Sequence, residues 1–335
     1  MSAPIALPPF IQPAYTAILS FDRPQLRRTL ASASIEDRWV HWARGWEQLL
    51  SGSPDQARSF AEQAGELAGQ DADASLVVEA AALRALAALE HDALEDAVVL
   101  ARRASRMARV EGLPEPEYMA HLVLARARRV TGHPHLAVRI LSALADTAPA
   151  PWHGWLAWEL ALGGALERAA ELVESAPNGP AREITQALLA FLRSCAAGAH
   201  NAEATATLLG ATVPLLRATA ADVVDACVID RTPKSDRVRA FCFGQSTEIP
   251  RSLHGLLTRR DGSPEPETAV AYVRAPVDGL RRRIPALAWA LGNGPEIQSL
   301  PQSRRKEGRV ESLVAYLLMK GEAVDEAACF SDVYG

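Results

Sequence analysis

The chain has 335 residues, 49% of them hydrophobic and 22% charged, with a formal net charge of −5; such a composition fills packed cores and excludes a disordered or low-complexity polymer. No apolar run reaches the roughly 18 to 20 residues that cross a bilayer, and residues 1–10 lack the basic start and long apolar stretch of a secretory signal, so a cytoplasmic protein with no membrane partner is expected. The charge is uneven: residues 231–320 hold 16 Lys and Arg against 9 Asp and Glu, a balance of +7, and the remainder sums to −12; a basic segment attracts polyanions.

Residues 1–35 are Pro-studded, with one predicted helix over 15–30 that breaks near Pro24. They read as an extension that caps the first unit of a repeat array, since the end of such an array needs a cover.

From residue 36 the chain repeats itself. The turn from Gly52 to Ala57 recurs forty residues later from Asp92 to Ala97, forty further from Gly132 to Ala137, and after a shorter step from Gly164 to Ala169. Seven positions before each turn stands a small residue: Gly45, Ala85, Ala125 and Ala157. About two turns into each second helix stands another position of the same stripe: Ala64, Ala104, Ala143 or Leu144, and Ala176. Small residues on one stripe let two helices approach, and helix hairpins packed in this way stack into an α-solenoid. A fifth, weaker unit is predicted with helices over 181–197 and 202–218.

At these residues the array resembles the tetratricopeptide repeat, over residues 36–178, with two steps of 40 residues where the family has about 34. The longer version is similar to arrays attached to bacterial transcriptional regulators. The resemblance implies a scaffold that holds a protein or peptide partner.

Six of the seven tryptophans lie in two first helices, as Trp39, Trp42 and Trp46 and as Trp152, Trp155 and Trp158, at spacings that share a helix face. Trp42, Trp46, Trp155 and Trp158 are the candidate lining of a partner groove, with His41 and His121, which share a repeat position forty residues either side of Ala81. The competing and favoured reading makes the tryptophans packing residues that close the two ends of the array.

After residue 222 the pattern changes to short β-type runs at 224–229, 238–243, 269–274 and 280–289. Asp278-Gly279 is a tight-hairpin signal between the last two, and residues 292–295 read as a turn. A small C-terminal α+β domain over 223–335 is therefore expected beyond the mostly α array of 36–222. In 303–335, Arg309, Leu313, Leu317, Gly321, Val324, Phe330, Val333, Tyr334 and Gly335 mark an apolar helix, a Gly turn and a second helix ending in an aromatic–Gly pair. They resemble the first two helices of the winged-helix domain of bacterial response-regulator-type activators. In that family the recognition helix comes next, so the resemblance implies a truncated DNA-binding part, with DNA a partner only in a longer parent protein. Arg281, Arg283, Arg304 and Arg305 are the candidate phosphate contacts; solvated charges on an edge strand and a helix start are the equal alternative.

Catalytic signals are missing from the sequence: no GxxxxGK[ST] loop, no GxSxG elbow and no HExxH pair occurs. Cys195, Cys227, Cys242 and Cys329 lack paired spacing, and His133-Pro-His135 sits in a turn without neighbouring ligands. No enzyme activity, cofactor or metal is expected. The leading expectation is a partner- or effector-binding arm of a bacterial transcriptional regulator; the alternative is an interaction scaffold that does not bind DNA.

Overall fold

A computed structural model describes residues 7–34, 37–196 and 201–227, with short pieces at 237–238, 251–253, 256, 287–290 and 294–297. The described residues are mostly helical. An N-terminal pair, α1 (Ile11–Leu19) and α2 (Arg23–Ala31), precedes a run of hairpins: α3 (Arg38–Leu50) with α4 (Pro54–Gln70), α5 (Ala74–Glu90) with α6 (Leu94–Glu111), α7 (Pro114–Val130) with α8 (Pro134–Ala145), α9 (Ala150–Leu162) with α10 (Leu166–Glu174), and α11 (Pro180–Ala196) with α12 (Ala202–Leu209). A last helix, α13, spans Pro214–Cys227.

The repeated turns are the corners of these hairpins. Gly52, Gly132 and Gly164 sit at φ +83°, +82° and +80°, and Asp92 takes the same left-handed corner at +63°, the conformation that ends a helix and turns the chain back. Between the corners the second helices bury stripes of alanine: Ala57, Ala61, Ala64 and Ala68 on α4, and forty residues on, Ala97, Ala101, Ala104 and Ala108 on α6. First helices also pack on one another, α3 on α5, α5 on α7 and α9 on α11, and α7 meets α9 through side chains, Tyr118 on Trp152 and Arg126 and Arg129 on Glu159. The hairpins therefore stack side by side through their first helices.

How closely they nest is visible at Gly45, where an added Cβ would lie 2.7 Å from Leu83 Cδ2 and 3.2 Å from the Ala57 carbonyl oxygen. A Gly45→Leu variant is expected to lose about 1–3 kcal/mol through overpacking, in spite of the roughly 0.8–1 kcal/mol of helix propensity that replacing glycine returns. Chemical denaturation checks this; an unchanged midpoint would show that α3 and α4 are not in this register.

Several expectations are corrected. The N-terminal extension reaches beyond the first unit, on which α2 packs: α1 lies along the first helices of the array. Tyr15 meets Trp42 of α3 and Glu79 of α5, and Gln12 reaches Glu115 of α7. Beyond the end of α1, Phe21 packs on Trp155 of α9, and the Ser20 carbonyl accepts a bond from the Ala181 N–H of α11. Consecutive first helices share one short segment only if their common face curves around it. Trp46 of α3 and Trp155 of α9, three hairpins apart, touch edge to face with centroids at 5.7 Å. The array thus curves around α1 and the corner that follows it.

The second helix of the fifth unit ends at Leu209, short of residue 218, and Pro214 opens α13. The predicted strand at 224–229 is helical through Cys227, so the expected boundary at 222/223 falls inside α13. Val223 and Val224 are fully buried there, and burial overrides the strand preference of β-branched residues. Pro214 also sits against Gly52, the first corner of the array. Beyond α13, Arg237 and Arg251 pair with Asp92 at the second corner, and Ser252 donates to Asp222 at 2.6 Å. One antiparallel pair occurs among the described residues, β1 (Leu287–Ala290) with β2 (Gly294–Ile297). The expected hairpin at Asp278-Gly279 lies outside the described residues, as do 303–335.

Candidate functional site

The face made by the first helices is the candidate site, because every hairpin contributes to it and α1 runs along it. The tryptophans expected to line a partner groove are on this face, yet Trp42, Trp46, Trp155 and Trp158 are each 0% exposed. Trp42 and Trp155 are packed beneath Tyr15 and Phe21. A chain of rings runs from Tyr15 to Trp42 (4.9 Å), on to Trp46 (6.5 Å) and Trp155 (5.7 Å), and ends at Phe21 (5.0 Å). The expectation of an open aromatic groove is corrected to a filled one, and the packing alternative is corrected in place: the indoles join the first and fourth hairpins across the middle. Helical spacing states which residues share a face and is silent about what covers it.

His41 and His121 keep their common repeat position but stand apart from the indoles. His41 Nδ1 lies 3.1 Å from Gln63 Oε1 on α4, and His121 lies 3.3 Å from Arg109 of α6 and 3.9 Å from Glu117. Both occupy seams between first and second helices, and partial burial holds the His121 imidazole below its ordinary pKa. They are removed from the groove lining.

Residues that sequence reasoning passed over carry the polar chemistry of the face. Glu79 of α5 is fully buried, and the Tyr15 hydroxyl donates to its Oε1. Burial pushes its carboxyl up to about 8, against the partial opposing pull of the Tyr15 hydroxyl and the nearby Trp42 indole. Tyr15, buried beside it, is raised in turn. Glu79 Oε2 and the indole nitrogens of Trp42, Trp46 and Trp155 have no hydrogen-bond partner among the described residues; Trp42 Nε1 is close to the carboxyl without reaching bonding geometry. Each unmet buried polar group costs about 1–3 kcal/mol, a scale comparable to the roughly 1.5–3 kcal/mol contributed by each large apolar side chain that the N-terminal pair buries. The floor of the groove therefore offsets much of what burial contributes there.

Because the carboxyl of Glu79 is neutral in the fold up to about pH 8 and titrates near 4.3 in the unfolded chain, the folded state holds the extra proton between these values. Stability is then fully present below about pH 4.3 and falls as pH rises through about 8. A Glu79→Gln variant is expected to lack that decline, so that its stability relative to the parent rises by on the order of a few kcal/mol from pH 5 to pH 8.5. Urea melts across that range decide it; parallel curves would mean Glu79 is ionised in the fold.

Two carboxylates in matching repeat positions anchor this face. Glu47 follows Trp46, and Glu159 follows Trp158. Glu47 accepts from Arg23 at 2.9 Å and Arg27 at 2.7 Å, tying α2 to α3. Glu159 is fully buried and holds Arg126 at 3.4 Å and Arg129 at 3.0 Å, tying α9 to α7. The repeated Trp-Glu dipeptide is the sequence signal from which both were accessible.

No group of three or more His, Cys, Asp or Glu able to hold a metal occurs among the described residues. Arg281, Arg283, Arg304 and Arg305 lie outside them. No helix among the described residues is long and apolar enough to cross a membrane. Comparison with protein-family models, curated proteins and solved structures finds no match to this chain.

Proposed function

We propose that the chain is a partner- or effector-binding helical-repeat arm of a transcriptional regulator, whose binding surface is the face of its first helices. The observation that carries the binding half is that this face already accepts a helix: α1 runs along it in contact with α3, α5, α7 and α9. A concave face of stacked hairpins with aromatic anchors suits helix-in-groove recognition. The regulatory half draws on the resemblance of 303–335 to a winged-helix domain and of the array to those of bacterial regulators. Arg237 and Arg251, C-terminal to α13, pair with Asp92 at a hairpin corner and supply a route by which a change in the array's curvature reaches the C-terminal part of the chain; such coupling requires that the partner favour one curvature over another.

Helical peptides selected by display against the full chain should protect amides of α3, α5, α7 and α9 from hydrogen exchange. Protection confined to α4, α6 and α8 would remove the groove reading. Retention on duplex DNA at low salt, with affinity falling steeply as salt rises, supports the regulator. Lack of retention leaves the scaffold that binds no DNA.

A further inference from the structure

The segment that fills the groove is poorly suited to be a permanent part of it. α1 has nine residues and no side-chain cap at its N-terminus, below the roughly 12–15 residues at which an isolated helix persists in water. It is helical because the groove holds it. It is joined to α2 through Phe21, a non-glycine residue at φ +58°, a conformation that bulky side chains adopt only under constraint. Beneath it, the second oxygen of Glu79 and the indole N–H groups of Trp42, Trp46 and Trp155 are buried without partners, and Ile11, Ala14 and Ile18 of α1 have nothing to offer them. At the rim, Glu47 takes two basic residues C-terminal to α1 in the chain, Arg23 and Arg27.

Resting on the reading of this face as the partner surface, we propose that residues 8–32 are an exchangeable intramolecular occupant that keeps the groove closed. The partner that replaces them is an apolar helix with hydroxyl or amide side chains on its buried face, followed by basic residues. The floor supplies the preference: hydrogen-bond partners for Glu79 Oε2 and for the indole N–H groups are what α1 lacks. Glu47 supplies the polarity, because the basic end must lie toward α3. A tethered occupant competes at an effective concentration on the order of millimolar, so the groove opens to a partner that binds better than α1 and stays shut to weaker apolar helices.

The test uses the spacing between Ser20 and Gly179, where an added Cβ would lie 3.8 Å from that of Ser20, the ordinary separation across a disulfide. The full chain carrying S20C and G179C, with Cys195, Cys227, Cys242 and Cys329 changed to alanine, is compared with itself oxidised and reduced; any backbone cost at position 179 is common to both. A second protein carries R23A and R27A, which loosen the clamp and leave the groove floor intact. Hydrogen exchange follows α1, and anisotropy follows a labelled synthetic peptide of residues 8–32. In the reduced protein α1 should exchange at least about tenfold faster than α5 and α7, and oxidation should abolish the difference. The peptide should bind the R23A/R27A protein at least about tenfold more tightly than the reduced protein, and the oxidised protein not at all. If α1 exchanges no faster than α5 and α7 when reduced, it is fixed core and the proposal is overturned. Equal peptide binding with and without the disulfide places the site elsewhere, which sinks the occupant and leaves partner binding standing. Opening of α1 with no peptide bound by any of the proteins removes the groove reading and this inference together.

Discussion

Glu159→Leu is expected to lower the stability of the protein by about 3–5 kcal/mol, the loss associated with removing one partner of a buried ion pair. Glu159 has no solvent exposure and is held by Arg126 at 3.4 Å and Arg129 at 3.0 Å. The two arginines fare differently once it is gone. Arg126 keeps Glu90 at 3.0 Å, whereas Arg129, buried to 1% exposure, has no other ion-pair partner among the described residues and already has its pKa lowered by burial. The variant thus leaves a guanidinium in a low-dielectric interior. Adding Arg129→Met to Glu159→Leu should recover much of the loss, since replacing both members of a buried pair by apolar groups is often neutral or better. A denaturation cycle over the two single variants and the double measures the coupling; additive effects would show that the pair does not share its energy.

The second large effect is expected at Trp155. Truncation to alanine should cost about 3–5 kcal/mol, the range for deleting a large buried aromatic ring. More than volume is lost, because Trp155 packs on two segments that are remote in the chain, Phe21 at 5.0 Å and Trp46 at 5.7 Å. Its removal deletes the contact between the first and fourth hairpins together with part of the seat of the N-terminal pair. Trp155→Phe keeps a ring on both sides and should lose visibly less. Calorimetry distinguishes the two; equal losses would mean that α9 and α3 are held together by something other than these rings.

The local layer of this fold is written in the sequence and its closure is not. Gly52, Asp92, Gly132 and Gly164 mark the corners because turning a helix back requires a left-handed residue, a constraint felt within a few positions. The alanines at 57, 61, 64 and 68 and again at 97, 101, 104 and 108 announce the packed stripe for a similar reason. What covers Trp42 and Trp155 depends on Tyr15 and Phe21, whose partners are distant in sequence and adjacent only after the array has curved. Glu79 looks like a solvated charge on an alanine-rich helix. The clue was its surroundings: α5 is apolar on nearly every side, the pattern of a helix buried all round, so any charge within it needed a partner. At residues 224–227 local preference pointed to a strand, and burial of Val223 and Val224 against the core decided for helix.

Winding the array about its own beginning also sets an order of events during synthesis. Phe21 leaves the ribosome 134 residues before Trp155, an interval of roughly 7–27 s at ~5–20 residues per second. Tyr15 can meet Trp42 and Glu79 once the first two hairpins have formed, but throughout that time Phe21 lacks its partner ring. The nascent chain therefore carries a half-covered apolar segment until the fourth hairpin is made.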